Sequence, residues 1–355
     1  MRLAFAVLLA VVAAPAAAAD VRTVAGVHTP DRGGRTAFPV IDAHGRGVAW
    51  SDYDAAIDAW RLVANVGGET QVLPIAPRPT PFDVDLGPDG RGGLVAVYSR
   101  CARGLRRDIP TPQVFRAGRH GCDLYAYSFA TGREREVAGA SSRADEYWPA
   151  VWKGRIAFVR AYPSRRDPDK TATPFLYLRR DGRTRRLRLP SSVIEHATAN
   201  PMIEQLDLRR GTVAYAWSRN DFTVTDDFIY LATLRGGSRP VARGATSGGG
   251  ASEHVRAVGA PSLGAHSVGW LFQNSGVPEY FGAFARRGDG APQASARSKA
   301  VAFASSDAGV FYIDGGPGAR FDAFTQPGGT FPLVLDDAVE YRRMRRSWQP
   351  VRPPH

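Results

Sequence analysis

Few residues in this sequence have side chains and spacings suited to chemistry. His120, His196 and His254 fall in segments that read as long connections between strands, and the acidic pair Asp145-Glu146 belongs to the same set. Imidazole beside carboxylate is the material of a general acid–base pair or of a divalent-metal site, if the groups converge. Spacing alone shows no convergence, since there is no His-x-x-x-His and no paired-Cys signature. These five stand as speculative acid/base or metal candidates, and no cofactor is expected. Asp83, Asp85 and Asp89 have the wrong ligand order for an EF-hand, and Pro88-Asp89-Gly90 reads as a turn. No Gly-x-Ser-x-Gly supplies a nucleophile elbow, and the Gly33-Gly34 and Gly248-Gly249-Gly250 clusters lack the strand-then-helix setting of a phosphate cradle.

Arginine supplies the stronger signal. The connection 100–121 carries Arg103, Arg106, Arg107, Arg116 and Arg119, and the connection 160–174 adds Arg165, Arg166 and Lys170. Clustered guanidinium groups suit carboxylate, sulfate or phosphate through paired hydrogen bonds. Tyr147 and Trp148 open a strand beside these connections and offer rings for a sugar, although packing inside the fold is their plainer use. Arg outnumbers Lys 43 to 3, so part of the density is composition, and a merely solvated basic face is the plainer reading here too.

The N-terminus indicates where such a face would operate. Met1-Arg2, an apolar run over 3–14, and Pro15-Ala16-Ala17-Ala18-Ala19 before Asp20 are the three parts of a secretory signal peptide. Cleavage is expected after Ala19, giving a secreted, periplasmic or cell-envelope protein. The run is short for a hydrocarbon core of about 30 Å, and no other stretch is long and apolar enough to span. Cys101 and Cys122 are the two cysteines, 21 positions apart, and an exported chain is expected to pair them. The alternative is two reduced, buried thiols. With a formal charge of +12 in an exported chain, anionic polysaccharide or an envelope protein is a better partner than nucleic acid.

The 355 residues are 44% apolar and 23% charged, which is globular composition. One phrase recurs through them: Val48-Ala49-Trp50, Val95-Ala96-Val97, Ile156-Ala157-Phe158, Val213-Ala214-Tyr215, Val268-Gly269-Trp270 and, more weakly, Val310-Phe311-Tyr312. Successive copies lie 47, 61, 57, 55 and 42 positions apart. Around most copies stand an upstream strand-like run, a third run with an acidic or aromatic start, and a fourth after a Gly turn. A four-stranded sheet of this size cannot bury both faces alone, so the units must pack on one another radially. The expectation is an all-β chain forming a single β-propeller over 38–337, with six four-stranded blades, or seven as the alternative. The segment 20–37 is expected to close the last blade, and 338–355 to form a basic tail.

These residues resemble TolB-type propeller repeats, whose blades carry a Pro-Asp-Gly turn, an Ala-aromatic strand and an Asp-hydrophobic-Tyr strand. The second unit comes nearest, with Gly87-Pro88-Asp89-Gly90 and Asp123-Leu124-Tyr125. The resemblance implies a propeller used mostly for binding and carries no catalytic motif. The functional expectation is therefore a non-enzymatic exported propeller that takes an anionic ligand, envelope polymer or protein partner on its basic long-loop face. The alternatives are a propeller enzyme of polysaccharide lyase, hydrolase or lactonase type using loop His, Asp or Glu, and an envelope scaffold without a small-molecule site. Oligomeric state is not legible.

Overall fold

Each copy of the recurring phrase becomes the second strand of an antiparallel unit. The computed structural model describes residues 21–30, 32–33, 39–102, 121–162, 173–189, 202–221, 224–247, 254–265, 267–274, 277–286, 293–315, 325–326, 329–336 and 348–350. Every regular element among them is a β-strand, and none is a helix able to cross a membrane. Strand β1 is Val21–Thr29 and β2 is Arg32–Gly33. The first sheet is β3 (Ile41–His44), β4 (Gly47–Asp54), β5 (Ala59–Val66) and β6 (Glu69–Val72), side by side in that order. The second is β7 (Asp85–Pro88), β8 (Leu94–Cys101), β9 (Cys122–Ser128) and β10 (Arg133–Glu136). The third is β11 (Asp145–Trp152), β12 (Arg155–Tyr162), β13 (Thr173–Arg180) and β14 (Arg183–Arg186).

The same antiparallel order continues through β15 (Met202–Arg209), β16 (Thr212–Asp221), β17 (Val224–Thr233) and β18 (Ser238–Ser247). It runs on through β19 (His254–Leu263), β20 (Ser267–Asn274), β21 (Val277–Arg286) and β22 (Gln293–Ser305). The last strands are β23 (Val310–Asp314), β24 (Thr325–Gln326), β25 (Gly329–Asp336) and β26 (Trp348–Pro350). Strand β1 pairs with β25, so the two ends of the chain share one sheet. Within the tail, β26 pairs with β22.

The count of six or seven separate blades needs correction: hydrogen bonding gathers the described strands into five sheets, one of them twelve-stranded. Two features fuse the second half. Strands β18 and β19 run past their units as a hairpin, joined through Ala245–Arg256, Thr246–Val255 and Ser247–His254. The 13-residue β22 pairs with β21 at one end and with β23 at the other, so one strand serves two units.

In the first three units burial falls from the inner strands to the last. Strand β8 is buried along most of its length and on both faces, whereas β6, β10 and β14 are largely exposed. Blades arranged radially produce that gradient, because neighbours cover both faces of the inner strands while the rim meets water. The first strands touch in sequence, β3 to β7, β7 to β11, β11 to β15, β15 to β19 and β19 to β22, and β22 returns to β3. This closed cycle lines a central axis.

Three inner strands carry the same irregularity. Register shifts fall between Tyr147 and Ala150, between Glu204 and Leu206, and between Gly259 and Ser262. Inside each shift stands a non-glycine residue with positive φ: Trp148 at 48°, Gln205 at 44° and Ala260 at 47°. Such a bulge twists the strand and re-aims the residues that follow it. At Gly87 the opposite demand applies, since a Cβ there would strike the backbone carbonyl of Val151 on the next inner strand. Only glycine allows that approach.

Candidate functional site

The expected disulfide is formed between Cys101 at the end of β8 and Cys122 at the start of β9, which face each other in register. The ladder continues one step beyond, where Ala102 N–H donates to the Gly121 carbonyl at 3.0 Å. Connection 103–120 therefore leaves from a cross-linked base. At the same end of the neighbouring unit, Cys122 N–H donates to Asp145 Oδ1 at 3.0 Å.

Asp83, Asp145 and Glu146 stand at this end of the inner strands, and all three are buried. Asp83 Oδ1 accepts from Ser99 N–H at 3.0 Å, Ser99 Oγ at 2.8 Å and Arg78 Nη1 at 3.2 Å. Its Oδ2 accepts from Trp148 N–H at 2.8 Å, which pins the first bulge. Glu146 lies opposite Arg160 on β12, and its Oε1 accepts from Arg160 Nε at 2.7 Å and from Ser142 Oγ at 2.6 Å. Arg160 also donates to the Ala140 carbonyl at 2.5 Å and lies 4.6 Å from the Tyr177 ring centroid. Glu146 Oε2 has no partner among the described residues. Burial lifts the Glu146 carboxyl to about 7, against the pull of Ser142 and Arg160.

A second constellation lines the axis. Asp42 Oδ2 accepts from Leu86 N–H at 2.6 Å, and Asp85 Oδ1 from Val151 N–H at 2.7 Å. Asp207 accepts from Leu263 N–H, and Ser262 Oγ accepts from Ser305 N–H at 2.7 Å. Each bond joins one inner strand to the next, so a single layer of short polar side chains staples the units around the axis. Burial raises the Asp42 carboxyl well above the usual range, with the charge of Asp207 adding to it. Asp85 is raised by burial and then by Asp42 and Asp207. Arg209 is buried on the same inner strand as Asp207, ion-paired with Asp307 and 4.9 Å from the Trp152 ring centroid, with His44 edge-on to Trp152 at 5.4 Å. Burial and Arg209 together depress the His44 pKa.

The residues singled out from sequence separate as follows. Tyr147 and Trp148 are buried in the largest core cluster and present no ring to solvent. Asp145 and Glu146 are brought together, but as acceptors for the protein's own donors. Asp89 accepts from the backbone of Arg91 and Gly93, as a turn residue does. Arg103, Arg106, Arg107, Arg116, Arg119, His120, Arg165, Arg166 and His196 lie outside the described residues, as do residues 1–19, where a signal peptide is expected. His254 begins β19, with only its backbone described. Among the described residues no group of three His, Cys, Asp or Glu is placed to hold a metal ion. Sequence reading missed Asp42 and Asp207. The one available signal was their recurrence, with Asp85, one position before an aliphatic or small residue in the first strand of a unit.

The sheet order and the closed cycle of inner strands define a β-propeller with four-stranded blades. No protein-family model matches the sequence, and no curated protein matches it. Among solved structures, the β-propeller domain of the Trilobed protease from Pyrococcus furiosus aligns at 10% identity over 81% of this chain and 75% of that one, with a TM-score of 0.42. A polysaccharide lyase, the PL25 ulvan lyase, aligns at 8% identity over 88% of this chain and 87% of that one, with a TM-score of 0.43. A prolyl endopeptidase aligns at 9% identity over 70% of this chain with a TM-score of 0.37, and this chain spans 34% of its length.

Proposed function

We propose that this protein is an exported, non-enzymatic binding propeller that takes an anionic envelope polymer on the face from which its arginine-bearing connections leave. The observation that carries this reading is the fate of the acids on that face. Asp83, Asp145 and Glu146 are buried and turned to donors of the protein itself. Arg100, beside the disulfide, is ion-paired with Glu134 at 2.7 Å while 41% of its side chain stays exposed. The cross-linked base at Cys101–Cys122 restricts the connection that carries Arg103, Arg106, Arg107 and Arg119, which lowers the ordering cost of binding. The resemblance to TolB-type repeats supports a binding role, and the signal-like N-terminus and the disulfide support export.

Titration of the disulfide-intact protein with polygalacturonate tests this. Binding should weaken by an order of magnitude or more between about 0.02 and 0.5 M salt, because the Debye length shrinks several-fold. The triple variant Arg103→Ser/Arg106→Ser/Arg107→Ser should lose most of the low-salt affinity. Salt-independent binding, or an unaffected triple variant, removes the reading. The enzymatic alternative draws on one observation, the Glu146 carboxyl at about 7 with a free Oε2. Loss of an acidic-glycan cleavage activity in Glu146→Gln would favour it.

A further inference from the structure

The outermost strand of the second sheet, β10, reads Arg133-Glu134-Arg135-Glu136. Alternate side chains of a strand point to opposite faces of its sheet. Cross-strand register extends each arginine inward as a row: Arg135 opposes Ala126, which opposes Val97, and Arg133 opposes Ser128, which opposes Val95. Both arginines therefore share one face, and on that side a cleft of about 970 Å³ opens between the second and third sheets. Val97, Ala126, Val151 and Ile156 line it and belong to one apolar cluster. Arg91, from the turn between β7 and β8, joins the two arginines on the lining.

The carboxylates on this lining are held by donors of the protein, whereas three of its arginines are not. Glu134 is engaged by Tyr98 Oη at 2.5 Å and by Arg100 Nη1 at 2.7 Å, and Glu136 Oε1 accepts from Ser141 Oγ at 2.5 Å. Asp89 Oδ1 is taken by the backbone N–H groups of Arg91 at 2.7 Å and Gly93 at 2.9 Å. Arg91, Arg133 and Arg135 are exposed and have no side-chain partner among the described residues. Like charges two positions apart on one strand face stand about 7 Å from each other and repel. An anion between them relieves that repulsion, and the guanidinium fork fits planar and tetrahedral oxyanions. The apolar floor rewards a ligand that also brings a hydrophobic body.

We propose that this cleft binds an organic anion, a carboxylate or sulfate carried on an apolar frame, with Arg133 and Arg135 holding the anionic group. Ala126, Val137 and Ile156, the least buried of the apolar lining, receive the frame, and Arg91 adds charge beside them. The site lies on the flank between two blades, opening beside the tight turns at Gly90 and Gly154. It is separate from the long-loop face, and neither site needs the other.

A fluorescence titration of the disulfide-intact protein with 8-anilinonaphthalene-1-sulfonate tests the proposal, with thermal melts of every variant run alongside. One saturable site is expected. Arg133→Ser/Arg135→Ser should weaken it about tenfold or more, the worth of a charge-assisted hydrogen bond. Arg183→Ser/Arg185→Ser changes the corresponding strand of the third sheet and should leave binding unchanged. Naphthalene-1-carboxylate should displace the probe, and sodium sulfate at equal ionic strength should not. Equal weakening by both double variants, no weakening by the first, or displacement by sulfate as effective as by the carboxylate overturns the proposal. Should the β10 variant melt early, Arg91→Ser at the turn carries the same comparison.

Discussion

Asp85 on the inner strand of the second sheet accepts a hydrogen bond from the backbone N–H of Val151, 2.7 Å away on the inner strand of the third. The two residues are 66 positions apart, and both are buried. One carboxylate oxygen thus satisfies a backbone donor on the open inner edge of β11, where its own sheet offers no neighbour. The same device recurs at Asp42 and Asp207, so the acids along the axis hold the ring together.

Removing the acceptor and removing the charge should have different consequences. Asp85→Ala leaves Val151 N–H buried and unpaired and should cost about 1–3 kcal/mol. Asp85→Asn retains an acceptor and relieves repulsion from Asp42 and Asp207, so it should cost less than Asp85→Ala at neutral pH. Because folding raises both the Asp42 and Asp85 carboxyls, the native state binds protons more tightly than the unfolded chain. Their contribution is intact below the ordinary carboxyl pKa of about 4 and is lost as pH rises through the folded values. Urea melts across pH on all three proteins give these comparisons, and an Asp85→Asn curve below that of Asp85→Ala would refute the account.

Glu146 should leave its own mark on stability. Its folded pKa of about 7 lies above the ordinary glutamate value of about 4.3, so its contribution falls as pH rises between those limits and is level above them. Glu146→Gln removes the titration and should flatten the pH dependence in that window. Denaturant midpoints measured from pH 4 to pH 8 decide the matter, and identical slopes for the two proteins count against it.

The disulfide should contribute through the unfolded chain. A loop of this length closed by a bridge is worth about 3 kcal/mol on the chain-entropy account. Cys101→Ser/Cys122→Ser should lower the denaturant midpoint accordingly, and reductant should lower the midpoint of the parent protein but not of the variant. An effect of reductant on the variant would point to a different origin.

The bulge residues store backbone strain, and one of them allows a clean measurement. Gln205 has φ 44° and is partly buried, so Gln205→Gly removes a left-handed penalty of about 1 kcal/mol without emptying the core. The gain is partly offset by the greater freedom of glycine in the unfolded chain. A stability equal to or above that of the parent is expected. A loss above about 1 kcal/mol would mean that the side chain itself holds the strand.

The local period of the chain made its strands legible. All six copies of the recurring phrase lie in second strands, and Pro88-Asp89-Gly90 and Lys153-Gly154-Arg155 form turns between the first and second strands of their units. Those features depend on residues a few positions apart, as does a disulfide that joins two adjacent strands. The polar layer along the axis was not legible, because whether Asp42, Asp85 and Asp207 face water, a metal or a neighbouring backbone depends on partners 44, 66 and 56 positions away. The bulges were hidden for a different reason: Trp148, Gln205 and Ala260 carry none of the glycine that usually marks a left-handed backbone. Charge shows the same division. Composition determined that the protein is basic, but only the pairing of β10 with β9 decided that Arg133 and Arg135 share a face while their neighbouring glutamates are spent on protein donors. Side-chain direction follows from strand register, and register is set by contacts that sequence separation conceals.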